Sequence, residues 1–210
     1  MANPLARPEP PPLLEWSVAV AARAGEARCG DQSVVRAFAG GMLAGVIDGL
    51  GHGEAAADAA MLAVEIMGGY SGSSLVALVR QCHEGLVGTR GVVMSLAWFN
   101  PANQSMTWLG VGNVDGVLRR SGSGGVRSER LMPVGGVVGF QLPPLRPVMA
   151  GLSPGDTLAL ATDGLRSEFA EHVEPLERPA RQADQLLRQF SRSTDDALIL
   201  VARYLGTRAT

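Results

Sequence analysis

Along the chain, short apolar runs alternate with breaks of glycine, proline and aspartate. Leu14–Ala22, Ser33–Ala39 and Gly41–Ile47 read as three early strands joined by short turns, the last ending on Asp48. Alanine, leucine and methionine then dominate Glu54–Met67, with Glu54 and Asp58 in the first turns, where acidic groups complement a helix dipole. A helix is predicted there, and a second over Ser73–Val87 after a glycine-rich break. Val92–Phe99, Ser105–Val111 and Gly116–Arg120 follow as an antiparallel meander. The polar run SGSGGVRSER, residues 121–130, reads as a mobile loop, and Leu131–Phe140 is rich in valine and glycine.

The turn Ser153-Pro154-Gly155-Asp156 leads into a predicted strand at Thr157–Ala161. Helical spacing returns over Arg178–Phe190, and Ala197–Tyr204 closes the pattern as a strand. Strands, two helices, more strands, a helix and a last strand predict segregated α+β layers rather than βαβ alternation. Trp16, Trp98 and Trp108 fall within strand patterns and are expected in the core.

With 210 residues and 46% hydrophobic content, the chain is long enough for one well-packed domain, expected over residues 13–206. The proline-rich residues 1–12 are expected to be a flexible lead-in, with neither an apolar signal core nor a basic amphipathic pattern. Eighteen basic against twenty acidic residues leave a net charge of -2. That balance gives no general reason to expect nucleic acid or an anionic membrane as partner. Every basic residue is arginine, which excludes a Walker-type phosphate loop and Schiff-base chemistry. Cys29 and Cys82 are expected to be reduced thiols in a cytoplasmic, soluble protein, and no uncharged apolar run approaches the roughly 18 residues a membrane helix needs.

The candidate chemistry lies in carboxylates at strand boundaries: Asp48 after MLAGVI, Asp163 after LALAT, and Asp195 with Asp196 before ALILVA. If the last strand runs antiparallel to those leading into Asp48 and Asp163, these carboxylates meet on one rim. Packed closely, they could not all stay ionised without a compensating cation, and hard oxygen donors suit magnesium or manganese. Asp-Gly is also a common turn pair, so each aspartate alone reads equally as turn chemistry. Two Asp-Gly-Leu triplets, at residues 48–50 and 163–165, each ending an apolar strand, favour a shared site.

The stretch LAGVIDGLGHGEAAADAA also invites a dinucleotide reading, since it follows a strand and precedes a helix. It fails because Glu54 stands where the third small residue belongs, and because Asp48 and Glu54 would set negative charge beside a pyrophosphate. His52, His83 and His172 are scattered, and Cys82-His83 without a second pair is poor zinc evidence. A surface or capping role is expected for His83 and His172.

Gly30-Asp31, VIDGLGHG (46–53), ATDGL (161–165) and DDALILVA (195–202), in this order and spacing, resemble the metal-dependent serine/threonine protein phosphatases of the 2C type. Within them the chain is most similar to the small bacterial branch related to the stage II sporulation phosphatase. LGVGNVDGVL (109–118) and PVGGVVGFQLP (133–143) look most like stressosome feedback phosphatases. The resemblance spans about Trp16 to Tyr204. It implies a four-layer α-β-β-α sandwich of two antiparallel sheets flanked by helices, with two Mn2+ or Mg2+ ions in a cleft at one end. By motif, Asp48 would bridge both ions and the Gly49 carbonyl would join the first. Asp163 and Asp195 would hold the second, and Asp31 matches the early acidic position. Asp195 is preferred to Asp196 as the first residue of its pair.

The implied chemistry is in-line attack on phosphorus by a water held between the two ions. The implied partner is a phosphorylated regulatory protein carrying phosphoserine or phosphothreonine. His52 is a candidate proton donor to the leaving oxygen, or a residue that shapes the glycine turn; in this chain Leu50 and Gly51 separate it from Asp-Gly, a departure from eukaryotic relatives. Those relatives hold phosphate with an upstream arginine; Arg28 lies near that place at a different spacing and is expected to be an exposed arginine of no special role. A domain of this type that binds a phosphoprotein without turnover is the alternative, disfavoured by the complete Asp48, Asp163 and Asp195 set.

Overall fold

The computed structural model describes residues 12–26, 28–71, 73–122 and 127–206. Among the described residues, ten strands build two five-stranded sheets. The first contains β1 (Leu14–Ala21), β10 (Ala197–Tyr204), β9 (Thr157–Ala161), β6 (Asp115–Arg120) and β7 (Arg127–Leu131), in that spatial order. The second contains β2 (Asp31–Phe38), β3 (Gly41–Gly49), β4 (Val92–Asn100), β5 (Ser105–Val111) and β8 (Val148–Gly151). All named pairings are antiparallel.

The near-continuous burial of β3, β4 and β10 shows why their sequences run apolar instead of alternating. These strands are covered on both faces. In β10, Leu198, Leu200, Ala202 and Tyr204 meet Ala44, Val46 and Phe99 of the other sheet. Its opposite face, Ala197, Ile199 and Val201, packs under Ala183, Leu186 and Phe190 of α3 (Pro179–Phe190). On the far side, Leu43 and Ile47 of β3 lie against Ala60, Ala63 and Met67 of α1 (Glu54–Gly69) and Leu78 of α2 (Leu75–Gly85). Burying each of the larger side chains is worth about 1.5–3 kcal/mol, so the sandwich interior is the main source of stability. The result is the α-β-β-α layering expected from the sequence.

A dinucleotide fold is excluded, because β3, which precedes the glycine turn, has antiparallel neighbours on both sides. Part of the supposed loop at 121–130 is strand. Arg127–Leu131 pairs with β6 through Leu118↔Glu129 and its neighbours, while residues 123–126 lie outside the described residues. As an edge strand exposed over its first four residues, β7 carries no apolar pattern to announce it. The short edge strand β8 and a 3-10 turn at Ser167–His172 also lack a sequence signal. Trp108 is buried and Trp98 half-buried, its indole N–H donating to the Phe38 carbonyl (3.1 Å). Trp16 is 47% exposed on edge strand β1, contrary to the core expectation. Residues 1–11 of the expected lead-in lie outside the described residues.

Candidate metal centre

β2 begins on Asp31 and β3 ends at Asp48-Gly49, and the antiparallel register sets Asp31 directly opposite Asp48. Directly paired residues point to the same face with their Cβ atoms about 4.5–5.5 Å apart. Asp31 is 4% exposed and Asp48 half-buried. Burial is the chief cause that pushes both carboxyls far above the usual range, Asp31 to about 7 and Asp48 to about 9. The charges of Asp163, Asp195 and Asp196 add to it in both cases. One contact relieves Asp31: the Thr162 hydroxyl donates to its Oδ2 (2.8 Å), tying the start of β2 to the end of β9 across the two sheets.

The first sheet supplies the facing group. Asp163 follows β9 and Asp195 precedes β10, and since these strands are antiparallel neighbours the two residues emerge at the same end. Burial and then the Asp195 charge raise the Asp163 carboxyl, while Arg192 and a hydrogen bond from the Asn113 amide (2.7 Å) oppose the rise. The glycines after Asp48 and Asp163 are demanded by close packing. A Cβ on Gly49 would stand 2.1 Å from the Ala56 carbonyl oxygen in α1, and one on Gly164 would stand 1.8 Å from that of Asp196. The repeated Asp-Gly pairs are therefore places where backbone packs on backbone beside a carboxylate.

Asp196 does something different from Asp195. Its Oδ1 accepts the Arg23 N–H and its Oδ2 the Gly30 N–H, both at 2.8 Å, with the residue 4% exposed. It pins both ends of the segment that leads into β2. Asp195 is half-buried, and its Oδ1 accepts the N–H of Asp196 (3.0 Å).

A cavity of about 570 Å3 is lined by Asp31, Asp48, Asp163, Asp195 and Asp196, with His52, Arg23 and Asn113 at its wall. Gly49 sits behind this lining, its N–H bonded to the Gly30 carbonyl (3.2 Å). Gly135, Gly136 and Val137 form another side. That segment is tethered to α2 by the Gly139 N–H, which donates to Nδ1 of half-buried His83 (2.9 Å). His172 is exposed, and Cys29 and Cys82 are unpaired thiols. Arg28 pairs with Asp58 (2.8 Å), away from the cavity lining. The arginine in the wall is Arg23, which sequence spacing did not single out, nor did it single out Asn113 within LGVGNVDG.

In donor chemistry this lining suits hard divalent cations: carboxylate oxygens dominate it, and their mutual repulsion is what bound cations would relieve. Among the described residues, no three acidic, histidine or cysteine side chains are already closed around a point where an ion could sit. Four of the five carboxylates instead turn an oxygen to a protein donor: Thr162 for Asp31, the Asn113 amide for Asp163, the Asp196 N–H for Asp195, and the Arg23 and Gly30 N–H groups for Asp196.

Comparison with known proteins agrees with this architecture. The family model for stage II sporulation protein E (SpoIIE) matches residues 39–205. A structure solved in work on the bacterial stressosome, as a modular system adapted to control secondary messenger signaling, is 27% identical with a TM-score of 0.81, over 90% of this chain and 99% of the other. RsbX in complex with magnesium is 20% identical with a TM-score of 0.80, over 91% and 95%. The catalytic domain of the serine/threonine phosphatase PstP with two manganese ions is 17% identical with a TM-score of 0.73, over 91% and 98%. Among curated proteins, none matches the chain.

Proposed function

The chain belongs to the SpoIIE family of PP2C-type phosphatase domains, and from that premise we propose that it removes phosphate from phosphoserine or phosphothreonine of a bacterial regulatory protein. The partner would be of the stressosome or partner-switching kind, in the cytoplasm. The neighbour solved in work on the bacterial stressosome supports this choice of partner. Among the described residues, no helix is long and apolar enough to cross a membrane.

The observation that carries the reading is the convergence of Asp31 and Asp48 from one sheet with Asp163 and Asp195 from the other on a single cavity. Asp48, at the end of β3, would be the shared ligand of two Mn2+ or Mg2+ ions, with the Gly49 carbonyl and Asp31 on the side of the second sheet. Asp163 and Asp195 would serve from the first sheet. Asp195 is favoured over Asp196 because both oxygens of Asp196 already hold backbone N–H groups. When bound, such ions supply an activated water and stabilise charge on the phosphoryl oxygens.

The remaining steps fall to this chain's own side chains. Arg23 would hold a phosphoryl oxygen by a charge-assisted hydrogen bond, orienting the ester for displacement at the far side of phosphorus. His52 would donate a proton to the serine or threonine oxygen as the P–O bond breaks. The deciding experiment measures manganese-dependent phosphate release from an aryl phosphate and from a phosphoserine peptide. Absence of turnover with every divalent cation tried would refute the enzyme reading, and full activity in Asp48→Asn and Asp163→Asn would refute the site.

A further inference from the structure

The His52 imidazole is held by a carboxylate that no sequence motif connects to it. Its Nδ1 lies 2.8 Å from Oε1 of Glu26. His52 is half exposed at the cavity wall, and Glu26 is the more sheltered partner, 29% exposed at the side chain. The placement of Glu26 is built in. Asp196 takes the Arg23 N–H, and the Glu26 N–H then closes a turn onto the Arg23 carbonyl (3.1 Å). On the other side Gly53, at φ +74, lets the carboxylate approach, since a Cβ there would stand 3.1 Å from Oε2 of Glu26.

We infer that Glu26 is the positioning residue of His52. The inference rests on the phosphatase reading and on His52 as proton donor. A carboxylate only accepts hydrogen bonds, so its partner nitrogen must carry the proton, and Nδ1–H is fixed on Glu26 in both the neutral and the charged imidazole. Nε2 is left as the nitrogen that serves the substrate. In the reaction the leaving oxygen takes the electron pair of the P–O bond and the proton of Nε2–H. The oxygen of water forms the new bond to phosphorus, its proton passes to solvent, and solvent then returns a proton to Nε2. Glu26 is unchanged throughout; without it the ring is free to turn about its side-chain torsions and to adopt the other tautomer.

The discriminating property is leaving-group dependence. A serine alkoxide needs a proton to depart, whereas an aryl oxide leaves readily without one. We would measure kcat and KM for a phosphoserine peptide and for p-nitrophenyl phosphate in wild type, Glu26→Ala, His52→Gln and the double variant, with manganese present and folding checked by thermal unfolding. The expected result is a fall of about 10- to 100-fold in the ratio of phosphoserine to aryl-phosphate kcat in each single variant. KM should hold, and the double variant should lose little more than His52→Gln alone. An unchanged ratio in Glu26→Ala beside a reduced one in His52→Gln overturns the role of Glu26 and leaves the donor role of His52 standing. An unchanged ratio in both removes the donor, and with it anything for Glu26 to position. A wild type inactive on both substrates overturns the phosphatase reading itself.

Discussion

Asp31 and Asp48 occupy paired positions at the open end of the β2–β3 ladder, two acidic side chains on one face of a sheet. Like charges directly opposite each other are destabilising, and here burial adds to the cost.

That pairing sets a pH dependence. Both carboxyls have folded values far above the 3.8 of a free aspartate, about 7 and about 9. Between those limits the native state binds more protons than the unfolded chain, so stability falls as pH rises. The contribution is fully present below about 3.8 and is lost as pH passes through about 7 and then about 9. With chelator present, the unfolding midpoint should be higher at pH 5.5 than at pH 8.5. Added manganese should raise the midpoint most at the higher pH, where Asp31 is ionised and the cation displaces the Asp48 proton most readily. A chelated protein more stable at pH 8.5 would contradict the assignment of these two groups as the cause.

Removing one of the facing charges should separate stability from activity. Asp48→Asn should lose about a hundredfold or more in metal-dependent turnover, on the scale of removing a group that stabilises the transition state. Without metal, and above about pH 9 where the Asp48 carboxyl of wild type is ionised, its unfolding midpoint should match or exceed that of wild type, because a like charge facing Asp31 is gone. Thermal unfolding in chelator beside phosphate release in manganese checks both halves.

The adjacent aspartates should behave oppositely. Asp196→Ala strands two N–H groups, those of Arg23 and Gly30, at a cost of about 2–4 kcal/mol. Asp195→Asn should leave denaturant stability within about 1 kcal/mol and weaken manganese binding instead. Urea unfolding and manganese titration of the two variants distinguish them; equal loss of stability in both would remove the distinction.

Gly164 tests the packing beneath the site. Its absent Cβ would fall 1.8 Å from the Asp196 carbonyl oxygen, so Gly164→Ala forces the Thr162–Gly164 turn and the start of β10 apart. A loss of about 3 kcal/mol or more is expected in urea unfolding, beyond the usual cost of an extra buried methyl group. Gly69→Ala, with nothing within 4 Å of its Cβ, serves as the control and should remain near wild type.

Much of this was legible in the sequence. The apolar runs ending on Asp48 and Asp163, the alanine-rich helix after the glycine turn and the last strand after Asp195 all follow from consecutive residues, and the structure places them within a few residues of the expected bounds. Strand β7 was not legible because an exposed edge carries polar side chains and takes its register from β6. Trp16 shows the reverse: an aromatic in a strand pattern remains half exposed when its strand forms the edge of the sheet.

Sequence by itself determined which carboxylates stand at strand ends, since periodicity and turn chemistry are properties of neighbouring residues. Tertiary structure alone decided what each one does. Asp195 and Asp196 are adjacent and chemically identical, yet only Asp196 spends both oxygens on the N–H groups of residues more than 160 positions away. The same holds for Arg23 at the cavity wall and for Glu26 against His52. Such contacts are fixed by how two sheets and their connecting segments pack, and no local pattern in the chain encodes that distance.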